Sequence, residues 1–393
     1  MNSNSSLRTI NLLREFSVPL IAGIALALAW ANLSPDSYHA FVHTPVVGKV
    51  SLDFLVNEVF MALFFGIAAV EITDSLAPGG SLNPVRKAVT PLIATVGGVI
   101  GPIAVFFALN ALFGGPHLVR GWGIVTATDI ALAWLVARLV LGKGHPAISF
   151  LLLLAIGDDA IGLAIIAIFY PDPSHPLYAP ALGLVLLAIG IAWGLRRLKV
   201  TNYWPYLLLA GTVSWLGLSR AHLHPALALV FVVPFMPHRR RKEQETVFDV
   251  PSEEPSTLTT FEHEWKVIVD FGLLFFGLAN SGVQFGAVGA VTGLVFLSLL
   301  IGKIVGIFGV CLLGGLLGYP LPAGMDRRDA FLVSMIAGIG LTVALFVAGA
   351  AFSDPAIESA AKMGALSSVL IVPLVFLAKF AMRRPTRATS TLP

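Results

Sequence analysis

Residues 147–170 read AISFLLLLAIGDDAIGLAIIAIFY, an apolar run that two adjacent acids interrupt near its middle. About 20 mostly apolar residues suffice for a helix to cross the hydrocarbon core of a bilayer. A charged side chain at the centre of such a helix costs roughly 2.5–3.5 kcal/mol. Asp158 and Asp159 therefore need a functional reason, and the stretch predicts a spanning helix that carries part of a polar site.

The composition of the whole chain supports a membrane protein. Of its 393 residues, 56% are hydrophobic and 12% are charged, whereas a soluble domain has about 25% charged residues. A single Cys excludes a disulfide scaffold, and a net charge of +3 gives no basic surface for nucleic acid. The chain is predicted to be an all-α polytopic membrane protein that forms a single transmembrane domain over residues 1–393.

Apolar windows along the chain predict twelve transmembrane helices. Most of its 25 Lys and Arg residues fall in alternate connecting segments, and such segments lie on the cytoplasmic side. This pattern predicts that both termini are cytoplasmic. The predicted spans are 16–33, 54–72, 89–113, 122–141, 147–170, 178–195, 204–218, 221–236, 267–285, 291–318, 331–352 and 358–381.

Residues 238–264 form the longest hydrophilic stretch, a charged cytoplasmic loop between the eighth and ninth spans. The loop opens with four bases in a row and continues with acids that include Glu262. One interpretation is a solvated connector. The other is a charged rim that senses pH or attracts cations.

Two further ionisable residues lie inside predicted spans. Asp129 lies in the fourth span and Lys303 near the middle of the tenth. Burial and a like-charged neighbour both favour a protonated carboxyl, and carboxylate oxygens suit hard cations. Asp158 and Asp159 could therefore hold either a proton or a cation, which is the outline of antiport. The alternative is a buried Asp–Lys pair that fixes helix packing.

The fourth and eleventh spans have sequences that favour interrupted helices. Thr128 and Asp129 follow closely spaced glycines, and Gly338-Ile339-Gly340 precedes Thr342. Unwound backbone inside a membrane lines a cavity rather than lipid. Half-helices end in partial charges, which Asp129 and Lys303 could offset. Close helix packing is the other explanation for the glycines.

Several short motifs follow one another in a specific order along nearly the whole chain. They are Ala127-Thr128-Asp129-Ile130-Ala131, Asp158-Asp159 followed by Gly162, Ala279-Asn280-Ser281-Gly282-Val283, Gly302-Lys303 and Gly338-Ile339-Gly340-Leu341-Thr342, with Asn57-Glu58, Met61-Ala62 and Phe64-Phe65 leading to Glu71. Together they resemble the NhaA-type sodium/proton antiporters of bacteria.

This resemblance implies a fold and a set of roles. The fold has two inverted repeats, spans 3–5 and 10–12, in which the broken helices 4 and 11 cross. Asp159 is similar to the main Na+ or Li+ ligand, and Asp158 to a second acid that pairs with Lys303 when no ion is bound. Thr128 and Asp129 resemble residues of the crossing. The implied exchange of Na+ for H+ is electrogenic, and the protein is a secondary transporter rather than an enzyme, with no cofactor.

The resemblance also bears on regulation, assembly and location. Glu71 and His224 resemble residues that respond to pH, and Glu262 joins them as an acid of the charged loop. The chain departs from the family after Glu71, where Ile72-Thr73-Asp74-Ser75 contains no base. Residues 43–53 are predicted to form an outside hairpin at a homodimer contact. The expected location is the bacterial inner membrane, where Na+, H+ and the bilayer are the partners.

Two other functions fit parts of the sequence. A sodium-coupled solute symporter shares inverted repeats and broken helices, but needs a pocket for an organic substrate. An intramembrane aspartyl protease needs two carboxyls that share a proton, for which Asp129 and Asp158 are the candidates. The residues preceding these acids do not match the motifs of that protease family.

Overall fold

The computed structural model describes residues 17–45, 48, 50–83, 85–171, 175–238 and 256–382, which form helices joined by turns and loops. The longer helices are α1 (Val18–Leu33), α2 (Pro35–His43), α3 (Leu52–Leu76), α4 (Val85–Phe113), α5 (Ile130–Leu141), α6 (Pro146–Phe169), α7 (Ala179–Arg197), α8 (Thr212–Arg220), α9 (Thr257–Asn280), α10 (Ala290–Leu316), α11 (Arg327–Ile336), α12 (Thr342–Ala351) and α13 (Pro355–Ala381). A 3-10 helix, Pro116–Thr126, precedes α5, and another, Pro225–Phe231, follows α8.

Several helices are suited to a bilayer. Within the described residues, six helices are long and apolar enough to cross a membrane, and a seventh span results if the bent pair Pro116–Thr126 and Ile130–Leu141 counts as one. Large apolar side chains such as Leu112 (72% exposed) and Phe380 (72% exposed) lie on the outside of the bundle. Such residues are stable when they face lipid.

Both segments for which an interruption was predicted are interrupted. The 3-10 helix Pro116–Thr126 and α5 meet at an angle of 57°, and Ala127 between them has extended backbone. In the second segment α11 ends at Ile336 and α12 begins at Thr342. Each break leaves backbone amide and carbonyl groups that neighbouring residues must satisfy.

Helices α4 and α10 touch at their backbones. A Cβ atom added at Gly306 would lie 1.9 Å from the carbonyl oxygen of Gly97, and one added at Gly101 would lie 2.4 Å from that of Gly302. Small residues permit this close approach in membrane helices. The contact brings Lys303, which is fully buried, to the interior of the bundle.

The two predicted surface segments are described in part. Residues 46, 47 and 49 of the predicted hairpin and residues 239–255 of the predicted loop lie outside the described residues. Helix α9 begins at Thr257, so residues 257–264 are helical rather than part of a loop. Its start is stabilised by Ser256, whose side chain accepts a hydrogen bond from the backbone amide of Thr259.

Candidate ion-binding site

A buried ion pair lies at the centre of the bundle. The Nζ atom of Lys303 lies 2.6 Å from Oδ2 of Asp158, and neither side chain is exposed. Lys303 also donates a hydrogen bond of 2.8 Å to the carbonyl oxygen of Thr126, at the end of the 3-10 helix. The ammonium group therefore neutralises Asp158 and offsets the negative end of a half-helix.

The Thr128 hydroxyl joins this pair to the second interrupted segment. Its Oγ1 atom lies 2.8 Å from Oδ2 of Asp158 and 2.8 Å from the carbonyl oxygen of Ala337. One hydroxyl proton can serve only one of these acceptors at a time. Thr128 can therefore change its hydrogen bond when Asp158 changes its protonation state.

Asp129 caps two half-helices that start at the two breaks. Its Oδ1 atom accepts a hydrogen bond of 3.0 Å from the backbone amide of Leu132 in α5. Its Oδ2 atom accepts one of 3.2 Å from the hydroxyl of Thr342, the first residue of α12. The backbone amide of Asp129 donates to the carbonyl oxygen of Ile339 at 2.7 Å. A carboxylate placed between two helix N-termini offsets their positive ends.

Asp159 directly follows Asp158 in the chain but faces a different environment. It lines a cavity of about 490 Å³, which we call the Asp159 cavity. Neighbouring residues on a helix point about 100° apart, which explains why Asp158 faces Lys303 while Asp159 faces the cavity. The polar residues of this cavity are Glu71, Asp74, Ser75, Thr128, Asp129, Asp159, Glu262, Lys266, Asp270 and Thr342.

A cluster of one base and two acids lines the Asp159 cavity. The Nζ atom of Lys266 lies 2.9 Å from Oε1 of Glu71 and 3.2 Å from Oε1 of Glu262. These contacts of Lys266 were not predicted from the sequence. The spacing of Glu262 and Lys266 on α9 could have indicated their pairing, whereas nothing in the sequence linked Lys266 to Glu71. The lysine supplies a base that the sequence after Glu71 does not.

His224 lies away from this cluster. It lines a second cavity of about 1020 Å³, which we call the His224 cavity. Its ring centroid lies 5.4 Å from that of Phe346. The three residues predicted to respond to pH therefore divide between two cavities, with Glu71 and Glu262 in one and His224 in the other. Other polar residues of the His224 cavity are Asp36, Tyr38, His39, His43, Asp53, Asn57, Glu58, Asn280, Gln284, Glu358, Ser359 and Lys362.

The central residues provide oxygen atoms of the kinds that hard cations prefer. They are the carboxylates of Asp158 and Asp159, the hydroxyl of Thr128 and the carbonyl groups of the unwound backbone. Among the described residues, no group of three or more His, Cys, Asp or Glu side chains is placed to hold a metal ion. Lys303 and Thr128 both contact Oδ2 of Asp158, whereas its Oδ1 atom is buried without a hydrogen-bond partner among the described residues.

Comparison with known proteins identifies relatives along nearly the full chain. Na(+)/H(+) antiporter NhaA 2 of Pelobacter propionicus is 62% identical over 360 residues, which cover 92% of this chain and 94% of that protein. Na(+)/H(+) antiporter NhaA of Geobacter sulfurreducens is 61% identical over 361 residues, with the same coverage.

A solved structure shows a weaker similarity. That structure, of the sodium proton antiporter MjNhaP1 from Methanocaldococcus jannaschii at pH 8, has a TM-score of 0.48 at 14% identity and covers 93% of this chain and 91% of its own.

The family evidence agrees with the relatives. The family described as "Na+/H+ antiporter 1" matches residues 10–378. The resemblance in the sequence motifs is thereby confirmed, and this chain belongs to the Na+/H+ antiporter 1 family.

Proposed function

We propose that this chain is a secondary active transporter that exchanges Na+ for H+ across the bacterial inner membrane. The names of its relatives support this function, as does its family. The observation that carries the proposal is the unequal state of the two adjacent acids. Asp158 is held by Lys303 at 2.6 Å, whereas Asp159 faces an open cavity.

In the proposed mechanism the two acids hold either Na+ or protons. Na+ enters the Asp159 cavity and binds Asp159, and Asp158 leaves Lys303 to complete the oxygen ligands. The bound cation disfavours protonation of both carboxyls, so protons are released. When protons return from the other side of the membrane, the neutral carboxyls no longer attract Na+. Thr128 and Asp129 position the unwound backbone, and Li+ is a second substrate.

The proposed architecture has twelve spans with two inverted repeats, spans 3–5 and 10–12. Helical segments at all twelve predicted positions support the first point. Asp129, at the first break, forms hydrogen bonds with Ile339 and Thr342 at the second. This contact supports a crossing of the broken spans 4 and 11. We place both termini and the charged segment 238–264, whose last residues begin α9, in the cytoplasm because Lys and Arg are concentrated in the segments assigned to that side. The hairpin at residues 43–53 is the proposed homodimer contact.

The proposed exchange is electrogenic and depends on pH. Lys303 and Asp158 can each give up or bind a proton during the cycle, so more protons than Na+ ions can move in each cycle. The cluster of Glu71, Glu262 and Lys266 lines the Asp159 cavity, where its charges set the local potential that an entering cation meets. His224, which lines the His224 cavity, is proposed to contribute to the pH response as well.

The Asp159→Asn variant tests the proposal. In proteoliposomes with a pH-sensitive dye inside, added Na+ should move protons through the parent chain but not through Asp159→Asn. Asp354→Asn is the matched control, because Asp354 caps a helix at the surface and Asn caps equally well. Normal exchange by a folded Asp159→Asn variant would remove Asp159 from the site.

Uptake of radiolabelled solutes driven by a Na+ gradient separates antiport from symport. Antiport predicts proton movement with no solute accumulation, whereas symport predicts the reverse. A protease based on Asp129 and Asp158 is disfavoured because each acid already has its own partners. Asp129 caps two helices, and Asp158 pairs with Lys303.

A further inference from the structure

Two histidines lie one helical turn apart on α2, and both line the His224 cavity. His39 and His43 occupy positions i and i+4 and are exposed. The centroids of their rings are 4.5 Å apart, and the ring planes are tilted by 45°. Histidines at i and i+4 on one face of a helix are the pair with which some metalloproteases hold Zn2+. The spacing therefore offers two imidazole ligands to a single ion.

Helix α2 is anchored to the bundle, which fixes the position of this pair. The residues directly before the two histidines, Tyr38 and Val42, are buried. The hydroxyl of Tyr38 donates a hydrogen bond of 2.7 Å to the carbonyl oxygen of Leu278 in α9. Ligands that are held in place before binding lose little conformational freedom when an ion binds.

The relative orientation of the two rings suits one shared ion. Zn–N bonds of about 2.0–2.1 Å in a tetrahedral site place the centroids of two ligating imidazoles roughly 5 Å apart, close to the distance between His39 and His43. The lone pair of an imidazole nitrogen lies in the plane of its ring, so tilted rings can direct their lone pairs to one point. Another histidine pair, His175 and His222, is stacked with an interplanar angle of 12°. Lone pairs in such nearly parallel planes do not converge on one ion.

The charges around the pair favour a cation. Four acids and one lysine line the His224 cavity, and Lys362 is itself paired with Glu358 at 2.7 Å. The other acids create a negative potential that raises the local concentration of cations. These acids are Asp36, Asp53 and Glu58.

We propose that His39 and His43 bind a divalent transition-metal ion, represented by Zn2+, and that the bound ion slows exchange through the His224 cavity. Imidazole suits Zn2+, Cu2+ and Ni2+, whereas hard cations prefer oxygen ligands. Among the described residues no third His, Cys, Asp or Glu is placed to join the pair, so water completes the coordination. Two protein ligands hold the ion reversibly, which suits regulation by the concentration of free metal.

The effect on exchange rests on the proposed function, whereas the binding of the metal does not. A bound Zn2+ adds two positive charges to the wall of a cavity whose acids otherwise attract cations. Na+ and H+ that pass through the His224 cavity then meet repulsion instead of attraction. Zn2+ should therefore act from the face of the membrane on which this cavity opens.

Isothermal titration of the purified full chain with Zn2+, without a histidine tag, tests the site. His39→Gln and His43→Gln should each weaken binding by about 100-fold, because a linked second ligand raises affinity by roughly 10²–10⁴-fold. The matched control is His222→Gln, which breaks the stacked pair and should leave the affinity unchanged. Mg2+ in place of Zn2+ should show no binding that depends on His39 or His43.

Proteoliposomes test the effect on exchange, with Zn2+ added to each face in turn. From one face, Zn2+ should slow the Na+-driven movement of protons through the parent chain, and His39→Gln should need about 100-fold more Zn2+ for the same effect. Equal affinity for Zn2+ in the parent and both variants would overturn the site. Zn2+ that binds to the two histidines without slowing exchange would overturn its effect. A parent chain that exchanges no Na+ for H+ would refute the proposed function instead, and the titration would still report the metal site.

Discussion

Replacement of Lys303 by Met should destabilise the protein more than the loss of any surface charge. The variant keeps the length of the side chain and removes the ammonium group that lies 2.6 Å from Asp158. Asp158 then retains the Thr128 hydroxyl at 2.8 Å but has lost its ion-pair partner. An unneutralised carboxylate would remain in a site that is closed to water.

The size of the effect follows from the burial of the pair. Removing one partner of a buried ion pair costs about 3–5 kcal/mol, whereas an exposed pair at i,i+4 on a helix contributes about 0.3–0.5 kcal/mol. The chain contains a matched control in Lys362 and Glu358, which lie 2.7 Å apart at i,i+4 and are 15% and 28% exposed. Lys362→Met should cost less than Lys303→Met, because the Lys362–Glu358 pair retains access to solvent and the central pair has none.

The assay is equilibrium unfolding in mixed micelles with a rising fraction of sodium dodecyl sulfate, followed by tryptophan fluorescence. The free energies of unfolding of both variants are compared with that of the parent at several pH values. As the pH falls, Asp158 in Lys303→Met binds a proton and becomes neutral. The loss of stability should therefore shrink in acid and grow as the pH rises.

A double variant completes the test. Asp158→Asn combined with Lys303→Met removes both charges, so it should recover most of the stability that Lys303→Met loses. The reasoning would be refuted if Lys303→Met cost no more than Lys362→Met, or if its cost did not depend on pH. In transport assays, Lys303→Met should exchange Na+ for H+ more slowly than the parent chain or with a different pH dependence.

Three further predictions concern packing, capping and charge movement. Gly306→Ala should lower the free energy of unfolding by about 1–3 kcal/mol or more, because its Cβ would collide with the Gly97 carbonyl oxygen. The control is Gly309→Ala, whose Cβ meets no atom within 4 Å. This control should be neutral or stabilising in the same unfolding assay. Asp326→Ala should cost about 1 kcal/mol by removing the cap of α11. The backbone amide of Asp329 holds the pKa of Asp326 below its usual 3.8, so the contribution of this cap should be complete above that pH and lost as the pH falls further. Finally, antiport in proteoliposomes clamped with valinomycin and K+ should change its rate with membrane potential, and a rate indifferent to potential would contradict electrogenic exchange.

Much of the candidate ion site could be predicted from the sequence, because charges in apolar helices stand out from their surroundings. Asp129, Asp158, Asp159 and Lys303 were identified in this way, and so were both interrupted segments. The family was also recognised from its motifs, and this recognition is confirmed. The roles of these residues in transport remain predictions that the experiments above test.

Other features could not be read from the sequence because they depend on contacts between distant segments. The pairing of Lys266 with Glu71 joins residues on α9 and α3, and neither residue looks unusual in its own segment. The division of the predicted pH-responsive residues between two cavities likewise required coordinates. The same is true of the edge-to-face contact between the rings of Phe65 and Phe346, two of the 26 phenylalanines in the chain.

The sequence by itself determined that this chain is a helical membrane protein with ionisable groups inside the bilayer, because hydropathy and charge are local properties of each segment. Only the tertiary structure decided which acid pairs with Lys303 and which faces a cavity. That choice depends on the rotation of α6 about its axis, which is set by its packing against neighbouring helices and not by the order of its residues.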